Sequence, residues 1–294
     1  MYPAVIDDYV RPASVDEALK AAGKYEAGEA MFLAGGQSLM QAMKSRLVRP
    51  RCVIDLQAVK ELKGVSAGVS GIRIGAMTRY CEVATEAKLK GAYEALIDAA
   101  AHVGDRQVRN LGTIGGSLCW NYVAACMPPA NLGVGSTMEL VSATGKKRTV
   151  GADDFIKGPL ETARTDDEVL LAVTLPAAPA RAGSAYKKWG MVTDALPVIG
   201  IAAYLELDAG GAIARARLAV GGLATGPKRA KGGEAALAGK KAGDQAALAA
   251  ALETAAAELE TQSDQWADGA YRKNLIRSLG AEVVASAFAR AAGK

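Results

Sequence analysis

The fold of the first part of the chain is decided by Phe32-Leu33-Ala34-Gly35-Gly36-Gln37-Ser38-Leu39. A short apolar run stops at two adjacent glycines, after which small hydrogen-bonding residues lead into the amphipathic segment 39–47. This order predicts a strand, a tight turn and the start of a helix. Glycines at such a turn permit positive φ and lack a Cβ, so a ligand can approach the backbone closely. Bare N–H groups beside a helix N-terminus form a concavity that suits phosphate.

A second glycine pair lies in Leu111-Gly112-Thr113-Ile114-Gly115-Gly116-Ser117. Either pair alone favours a purely structural turn. Together, and with the hydroxyl residues Ser38, Thr113 and Ser117 in them, they predict two loops that close on one extended phosphate ligand. Three polar residues precede the second loop, namely Arg106, Arg109 and Asn110. They either neutralise a diphosphate or belong to a solvated surface, and the sequence favours neither interpretation.

The residues around the first pair predict a strand–helix–strand crossover. Ser14 and Glu17 have the spacing of a helix cap, and residues 31–34 predict a strand. Residues 51–56 form a β-branched run that is typical of a second, parallel strand. Glycines at the first turn of such a unit suit a diphosphate. The spacing is not G-x-G-x-x-G, so a Rossmann nicotinamide site is not supported.

Beyond residue 57 the pattern changes to mixed strands and helices. The predicted elements are strands at 69–76 and 168–176, helices at 80–87 and 92–103, and a hairpin of 137–142 with 145–150. Residues 177–183 have the composition of a linker. Strands and then helices follow it, which is typical of a separate α+β domain. They are predicted at 185–189, 198–207 and 213–221, and at 230–237, 246–259 and 275–291.

Composition excludes several classes of protein. Half of the 294 residues are hydrophobic, which is enough for a large core, and the charges that sum to +4 are interspersed. The sequence lacks the stripe of basic residues that would predict nucleic-acid binding. Apolar runs end well before the ~18 residues that a membrane span needs. The N-terminus lacks the pattern of a secretion signal, so we expect a cytoplasmic protein.

The sequence contains no recognisable catalytic or metal-binding constellation. The four cysteines are widely spaced and the only histidine is His102, so neither a zinc site nor an iron–sulfur pattern is predicted. No paired carboxylates or activated nucleophile stand out. Any catalysis would therefore belong to a bound cofactor that the protein positions.

Several motifs, in this order, closely resemble the FAD-binding medium subunit of the molybdenum hydroxylases, the family of aerobic carbon monoxide dehydrogenase and xanthine dehydrogenase. The resemblance rests on both glycine loops together with Asp55-Leu56 and residues 74–78. It continues through Tyr186-Lys187-Lys188 and residues 268–272. It therefore covers essentially the whole chain.

The resemblance implies an α+β fold. Residues 1–176 would form a two-part FAD-binding domain of the vanillyl-alcohol-oxidase (PCMH) type, with subdomains of about 1–57 and 58–176. Residues 184–294 would form a smaller C-terminal domain with a three-stranded antiparallel sheet and helices.

The resemblance also implies a function and partners. Members work with a large molybdopterin subunit and a small subunit that carries two iron–sulfur clusters, usually as a dimer of heterotrimers. Substrate is hydroxylated at molybdenum, and electrons pass through the clusters to FAD and then to an external acceptor. Because this chain lacks a cysteine-rich insertion, we expect no cluster in it. Two alternatives remain: a bridging subunit that has lost FAD, and a stand-alone flavin oxidase of the same fold.

Carried over by motif, the cofactor-binding residues of this chain include both glycine loops. The full set is Ala34, Gly35, Gly36, Gln37, Ser38, Leu39, Thr78, Asn110, Thr113, Ile114, Gly115, Gly116, Ser117, Cys126 and Lys188. Three positions depart from the family pattern. Cys126 replaces a usual aspartate, Ser117 replaces a common asparagine, and Trp189 follows Lys188 where arginine is frequent. These departures leave the diphosphate loops intact and bear on the orientation, potential or acceptor of the flavin.

Overall fold

The computed structural model describes residues 5–293 and begins with a small parallel sheet. Its strands are β1 (Asp8–Val10), β2 (Ala30–Leu33) and β3 (Cys52–Asp55), in the order β1-β3-β2. Helix α1 (Val15–Ala22) precedes β2, and α2 (Leu39–Lys44) joins β2 to β3. The predicted parallel crossover is therefore confirmed.

Local chemistry explains where α1 begins. The Ser14 side chain accepts from the N–H of Glu17 at 3.2 Å, as the spacing predicts. The Glu17 carboxylate accepts in return from the N–H of Ala13 at 2.7 Å rather than from that of Ser14. Helix α2 ends at Lys44, earlier than expected, because Arg46 adopts a φ of 66°. Strand β1 was not predicted, because its three residues, two of them exposed, are too few to show the alternation of a strand.

A five-stranded antiparallel sheet follows, in the order β4-β5-β10-β6-β7. Its strands are β4 (Val65–Gly68), β5 (Gly71–Gly75), β6 (Thr137–Ser142), β7 (Lys147–Gly151) and β10 (Glu168–Pro176). The hairpin and the last strand confirm the prediction. The strand predicted at 69–76 is present as β5, which begins at Gly71 because Val69 and Ser70 form the turn that joins it to β4.

Short helices and a small hairpin lie between the strands of this sheet in the sequence. They are α3 (Tyr80–Val83), α4 (Glu94–Ala101), α5 (Arg106–Leu111), α6 (Ile114–Trp120), α7 (Met127–Val134), α8 (Ala152–Phe155), β8 (Ile156–Gly158) and β9 (Glu161–Thr162). The helix predicted at 80–87 is thus only one turn long. Helix α7 was missed, although Pro128 and Pro129 in its first turn are compatible with a helix start. All of its residues are buried.

The C-terminal region forms a four-stranded antiparallel sheet in sequence order, backed by three helices. The elements are β11 (Ala182–Trp189), β12 (Ile199–Leu207), β13 (Ile213–Gly221), β14 (Lys228–Arg229), α9 (Lys231–Leu237), α10 (Gln245–Glu258) and α11 (Gly269–Ala291). The three predicted strands are present. The predicted count of three is corrected by β14, which is too short to leave a sequence signal. Helix α11 begins before residue 275 because Asp268 caps it by accepting from the N–H of Tyr271 at 2.6 Å.

Two carboxylates join the C-terminal sheet to the preceding elements. Asp98 of α4 accepts from the Arg290 guanidinium at 2.6 Å and from the N–H of Tyr186 at 3.0 Å. Asp153 accepts from Arg217 at 2.7 Å and from Arg229 at 3.0 Å. The Asp98 contacts hold β11, the strand that carries Lys188, against α4, and the Asp153 contacts hold β13 and β14 against α8. Within residues 5–293, no helix is long and apolar enough to cross a membrane.

Candidate functional site

The first glycine loop needs its two glycines for different reasons. Gly36 has a φ of +73°, the left-handed conformation that favours glycine. At Gly35, a Cβ would lie 1.9 Å from the carbonyl oxygen of Leu111. The first requirement is conformational and was predicted from the sequence. The second is a close approach between the two loops.

The backbone donors of the first loop are free. Within the described part of the chain, the N–H groups of Gly35, Gly36, Gln37 and Ser38 donate to no acceptor. The Ser38 side chain caps nothing, although Ser38 is the residue before α2. Consecutive free N–H groups at a turn form a cradle for an anion. The loop therefore has the donors that a diphosphate requires.

The second glycine loop differs in structure and in bonding. Only Gly112 and Thr113 lie between α5 and α6, and the glycine pair itself lies in the first turn of α6, so the pair begins a helix and does not follow a strand. Its N–H groups are used inside the protein: Ile114 donates to the Thr78 carbonyl at 3.1 Å and Gly115 to that of Ala76 at 2.8 Å. Gly116 donates to the Thr113 hydroxyl oxygen at 3.1 Å. This loop is thus firmly bonded to its surroundings.

The two loops are nevertheless adjacent. Gly35 rests on the backbone at Leu111 and Gly112, and a Cβ at Gly116 would lie 3.2 Å from the Ala34 Cβ. The structure therefore brings together the two glycine pairs that the sequence singled out. Their assignment to the phosphate ligand stays a prediction.

Other predicted residues take distinct positions. Thr78 is fully buried, and its hydroxyl donates to the carbonyl of Gly64, which directly precedes β4, at 3.2 Å; only its backbone carbonyl contacts the second loop. Asn110 is exposed on α5. Arg109 donates to the carbonyl oxygens of Val103 at 3.2 Å and Gly104 at 2.7 Å. This guanidinium is therefore engaged in holding the turn before α5.

A second group of polar residues includes Cys126 and Lys188. Lys188, on β11, is partly buried and donates to the Ala195 carbonyl at 2.7 Å. Burial lowers the pKa of Lys188, and the neighbouring Cys126 and Asp194 oppose that shift. Burial raises the pKa of the Cys126 thiol, which Tyr186 and Lys188 partly oppose. Cys126 and Lys188 therefore lie close enough for each to influence the pKa of the other.

Two buried tyrosines in this region were not among the predicted cofactor-binding residues, although Tyr186 belongs to one of the motifs. Tyr186 precedes Lys188 by two residues on β11, so both lie on one face of the strand. Tyr80, on α3, interacts with Ser117, and burial raises its pKa. The alternation of side chains along β11 could have indicated that Tyr186 lies on the same face as Lys188. The contact of Tyr80 with Ser117 joins distant segments and left no such signal.

These residues fit a flavin dinucleotide. The first loop has free N–H donors. It can pack against the second loop because Gly35 lacks a Cβ, which would collide with that loop. Lys188 provides a partly buried positive charge on β11. Among residues 5–293, no group of three or more His, Cys, Asp or Glu is placed to hold a metal ion.

Comparisons with known proteins agree with this interpretation. Residues 4–178 match the family described as "FAD binding domain in molybdopterin dehydrogenase", and residues 184–287 match the "CO dehydrogenase flavoprotein C-terminal domain". The carbon monoxide dehydrogenase medium chain of Hydrogenophaga pseudoflava is 32% identical over 72% of this chain and 73% of that protein. A solved carbon monoxide dehydrogenase from the same organism superposes with a TM-score of 0.92, at 32% identity and over 99% of both chains.

A further relative is the glyceraldehyde dehydrogenase medium chain of Sulfolobus acidocaldarius, 36% identical over 60% of this chain. The matched segment spans 61% of that relative, which is less than two thirds of its length. The matches thus cover both parts of the fold, and the resemblance inferred from the motifs is confirmed.

Proposed function

Because this chain belongs to the family of FAD-binding medium subunits of the molybdenum hydroxylases, we propose that it is the electron-transfer flavoprotein subunit of a multi-subunit molybdenum-dependent oxidoreductase. The observation that carries the proposal is the first glycine loop. Four consecutive residues have free N–H groups there, and the second glycine loop packs against them at Gly35. Such a cradle suits the diphosphate of FAD.

The residues of this chain would divide the binding of FAD between them. The N–H groups of residues 35–38 and the Ser38 hydroxyl would bind the diphosphate. Thr113 and Gly115 would hold the second loop in place, and Ser117 would contribute its hydroxyl. Lys188 and Cys126 would lie at the flavin ring. FAD supplies the redox chemistry, and the protein supplies position and charge.

The partners follow from the same proposal. Electrons would arrive from iron–sulfur clusters of a small subunit, after substrate hydroxylation on a large molybdopterin subunit, and leave FAD for an external acceptor. We propose a dimer of heterotrimers in the cytoplasm. We also propose the division into a FAD-binding domain of residues 1–176, with parts of about 1–57 and 58–176, and a C-terminal domain of residues 184–294.

Purification with and without co-expressed partner subunits tests the proposal. We expect close to one FAD per chain by absorbance after denaturation, and reduction of that flavin by substrate only in the complete complex. Substrate turnover by the chain alone would instead indicate a stand-alone oxidase. An active complex whose medium subunit contains no FAD would indicate a bridging subunit and overturn the proposal.

A further inference from the structure

The side chain of Gln37 folds back onto the first glycine loop. Its amide nitrogen Nε2 donates to the carbonyl oxygen of Gly35 at 3.2 Å. A carbonyl oxygen can only accept, so it must face the NH₂ group of the side chain and not the amide oxygen. Within the described part of the chain, no other group donates to the Gly35 oxygen. This carbonyl group therefore depends on Gln37 for its hydrogen bond.

The Gly35 carbonyl belongs to the same peptide group as the Gly36 N–H, which is one of the four free donors of the first loop. In a trans peptide the C=O and the N–H point in opposite directions, and none of the described peptide bonds is cis. Because the oxygen is held toward the Gln37 amide, the Gly36 N–H points away from that side chain. Gln37 thus sets the direction of a donor that it does not touch.

This peptide group needs an anchor because glycine lies on both sides of it. Gly35 and Gly36 lack the Cβ that restricts backbone rotation in other residues, and Gly36 has a φ of +73°. The following peptide group is held by α2, since the Gly36 oxygen accepts from the N–H of Met40 at 3.2 Å. The 35–36 peptide lies outside that helix, and the Gln37 side chain holds it instead.

The direction of the peptide decides whether the loop suits an anion. If the 35–36 peptide rotated by half a turn, its carbonyl oxygen would take the place of the Gly36 N–H. An oxygen in that place repels a phosphate, whereas consecutive N–H groups attract one. The hydrogen bond from Gln37 therefore favours the arrangement that can bind a diphosphate.

We propose that Gln37 is a positioning residue, which holds the Gly35 carbonyl and so keeps the Gly36 N–H directed at the diphosphate of FAD. This inference rests on the proposed function. It gives Gln37 a more specific role than the one predicted from the sequence, because the side chain acts through the backbone of the loop and not through its own contact with the cofactor.

Calorimetric titration of the FAD-free, full-length chain with FAD and with ADP, which carries the diphosphate without the flavin, measures the effect on binding. Gln37→Met keeps the length of the side chain and removes the donor. We expect the dissociation constants of FAD and of ADP to rise by a similar factor, roughly fivefold, as for the loss of one hydrogen bond. The unfolding midpoint of the FAD-free variant should equal that of wild type, because water can replace the amide at the partly exposed Gly35.

Gln41→Met is the matched control. Gln41 lies on α2 and is exposed, and its side-chain amide makes no hydrogen bond to another described residue. The substitution should therefore leave both dissociation constants and the unfolding midpoint unchanged.

A carbonyl NMR signal reports on the peptide itself. The sequence contains five Gly-Gly pairs, so labelling glycine with ¹³C and ¹⁵N gives five signals in a spectrum that selects amides after a labelled carbonyl. Gly36→Asn removes the signal of the first pair and thereby identifies it. A carbonyl carbon moves upfield when it loses an accepted hydrogen bond. Gln37→Met should therefore shift the Gly35 signal upfield and leave the other four in place.

The inference is overturned if Gln37→Met leaves the Gly35 carbonyl signal unchanged, or if it binds FAD and ADP as tightly as Gln41→Met does. Weaker binding of FAD with unchanged binding of ADP would also overturn it, because Gln37 would then act at the flavin. A lower unfolding midpoint would show that Gln37 stabilises the fold and would overturn the positioning role. Wild-type protein that binds neither FAD nor ADP would overturn the proposed function, and the carbonyl signal would still show whether Gln37 holds the peptide.

Discussion

The two glycine loops look alike in sequence and differ in what their backbone does. In the first loop, the N–H groups of residues 35–38 are free. In the second, those of residues 114–117 donate to the Thr78, Ala76 and Thr113 oxygens. We therefore expect the first loop to be the anion cradle. The paired donors, together with the packing of Gly35 on Leu111, lead us to expect that the second loop supports the shape of the first.

We expect the largest effect from Gly35→Ala, because the added Cβ would disrupt the packing of the first loop against the second. Its Cβ would lie 1.9 Å from the Leu111 oxygen and 2.6 Å from the Leu111 carbonyl carbon, and neither backbone can move aside cheaply. We expect a loss of about 3 kcal/mol in the free energy of unfolding, as for overpacked cores, and loss of most FAD. Urea unfolding and the flavin-to-protein ratio measure the two effects.

Gly68→Ala provides the control for that substitution. Gly68 has an ordinary φ and no atom within 4 Å of an added Cβ, so both quantities should match wild type. Normal stability and full FAD content in Gly35→Ala would contradict the contact between the loops.

Gly115→Ala tests whether the second loop supports the first loop or binds FAD itself. The added Cβ would lie 2.5 Å from the Ala76 Cβ and 2.6 Å from the Ala76 oxygen. The unfolding free energy should fall by about 2 kcal/mol. The Gly115 N–H already has an acceptor, so protein that remains folded should keep its FAD affinity within about threefold, a difference of under 1 kcal/mol. A large loss of affinity at unchanged stability would show that the second loop binds the ligand directly.

The sequence predicted elements best where one physical signal was strong. Strand β10 was predicted at its observed bounds because a continuous apolar run ends at Pro176, which cannot continue the ladder. The crossover around the first loop followed from the glycine pair and the β-branched run after it. Strands β1 and β14 were not predicted, because two or three residues are too few to show an alternation of apolar and polar side chains.

The hydrogen bonding of the site could not be predicted from the sequence, for a different reason. The motifs selected both glycine pairs, and the structure brings them together. Whether an N–H is free depends on carbonyl groups such as those of Ala76 and Thr78, which lie far away in the chain. The space for the buried hydroxyl of Tyr186 likewise depends on Gly200, on another strand. Such facts follow from tertiary packing, which local patterns do not encode.

Thr113→Val tests the support role with a smaller change. The Thr113 hydroxyl oxygen accepts from Gly116 at 3.1 Å and caps α6. Loss of such a cap costs about 1 kcal/mol, so the unfolding midpoint should drop by a corresponding amount. Thr113→Ser keeps the oxygen and should recover most of the stability. Equal stability of the valine and serine variants would contradict this role for the hydroxyl.

Ser38→Ala has the smallest expected effect and distinguishes the loops most cleanly. The Ser38 side chain makes no capping bond in the protein, so its removal should change the unfolding free energy of the FAD-free chain by less than about 0.5 kcal/mol. A hydrogen bond to the ligand is worth about 1 kcal/mol net, so the FAD dissociation constant should rise roughly fivefold. Ser45→Ala, at the other end of α2, removes a hydroxyl that donates to the Gln41 carbonyl at 2.9 Å and leaves FAD affinity unchanged. Thr113→Val should therefore lower stability, and Ser38→Ala should lower affinity. If Ser38→Ala instead destabilises the FAD-free chain and leaves affinity unchanged, the first loop is a support like the second, and the contrast between the two loops is wrong.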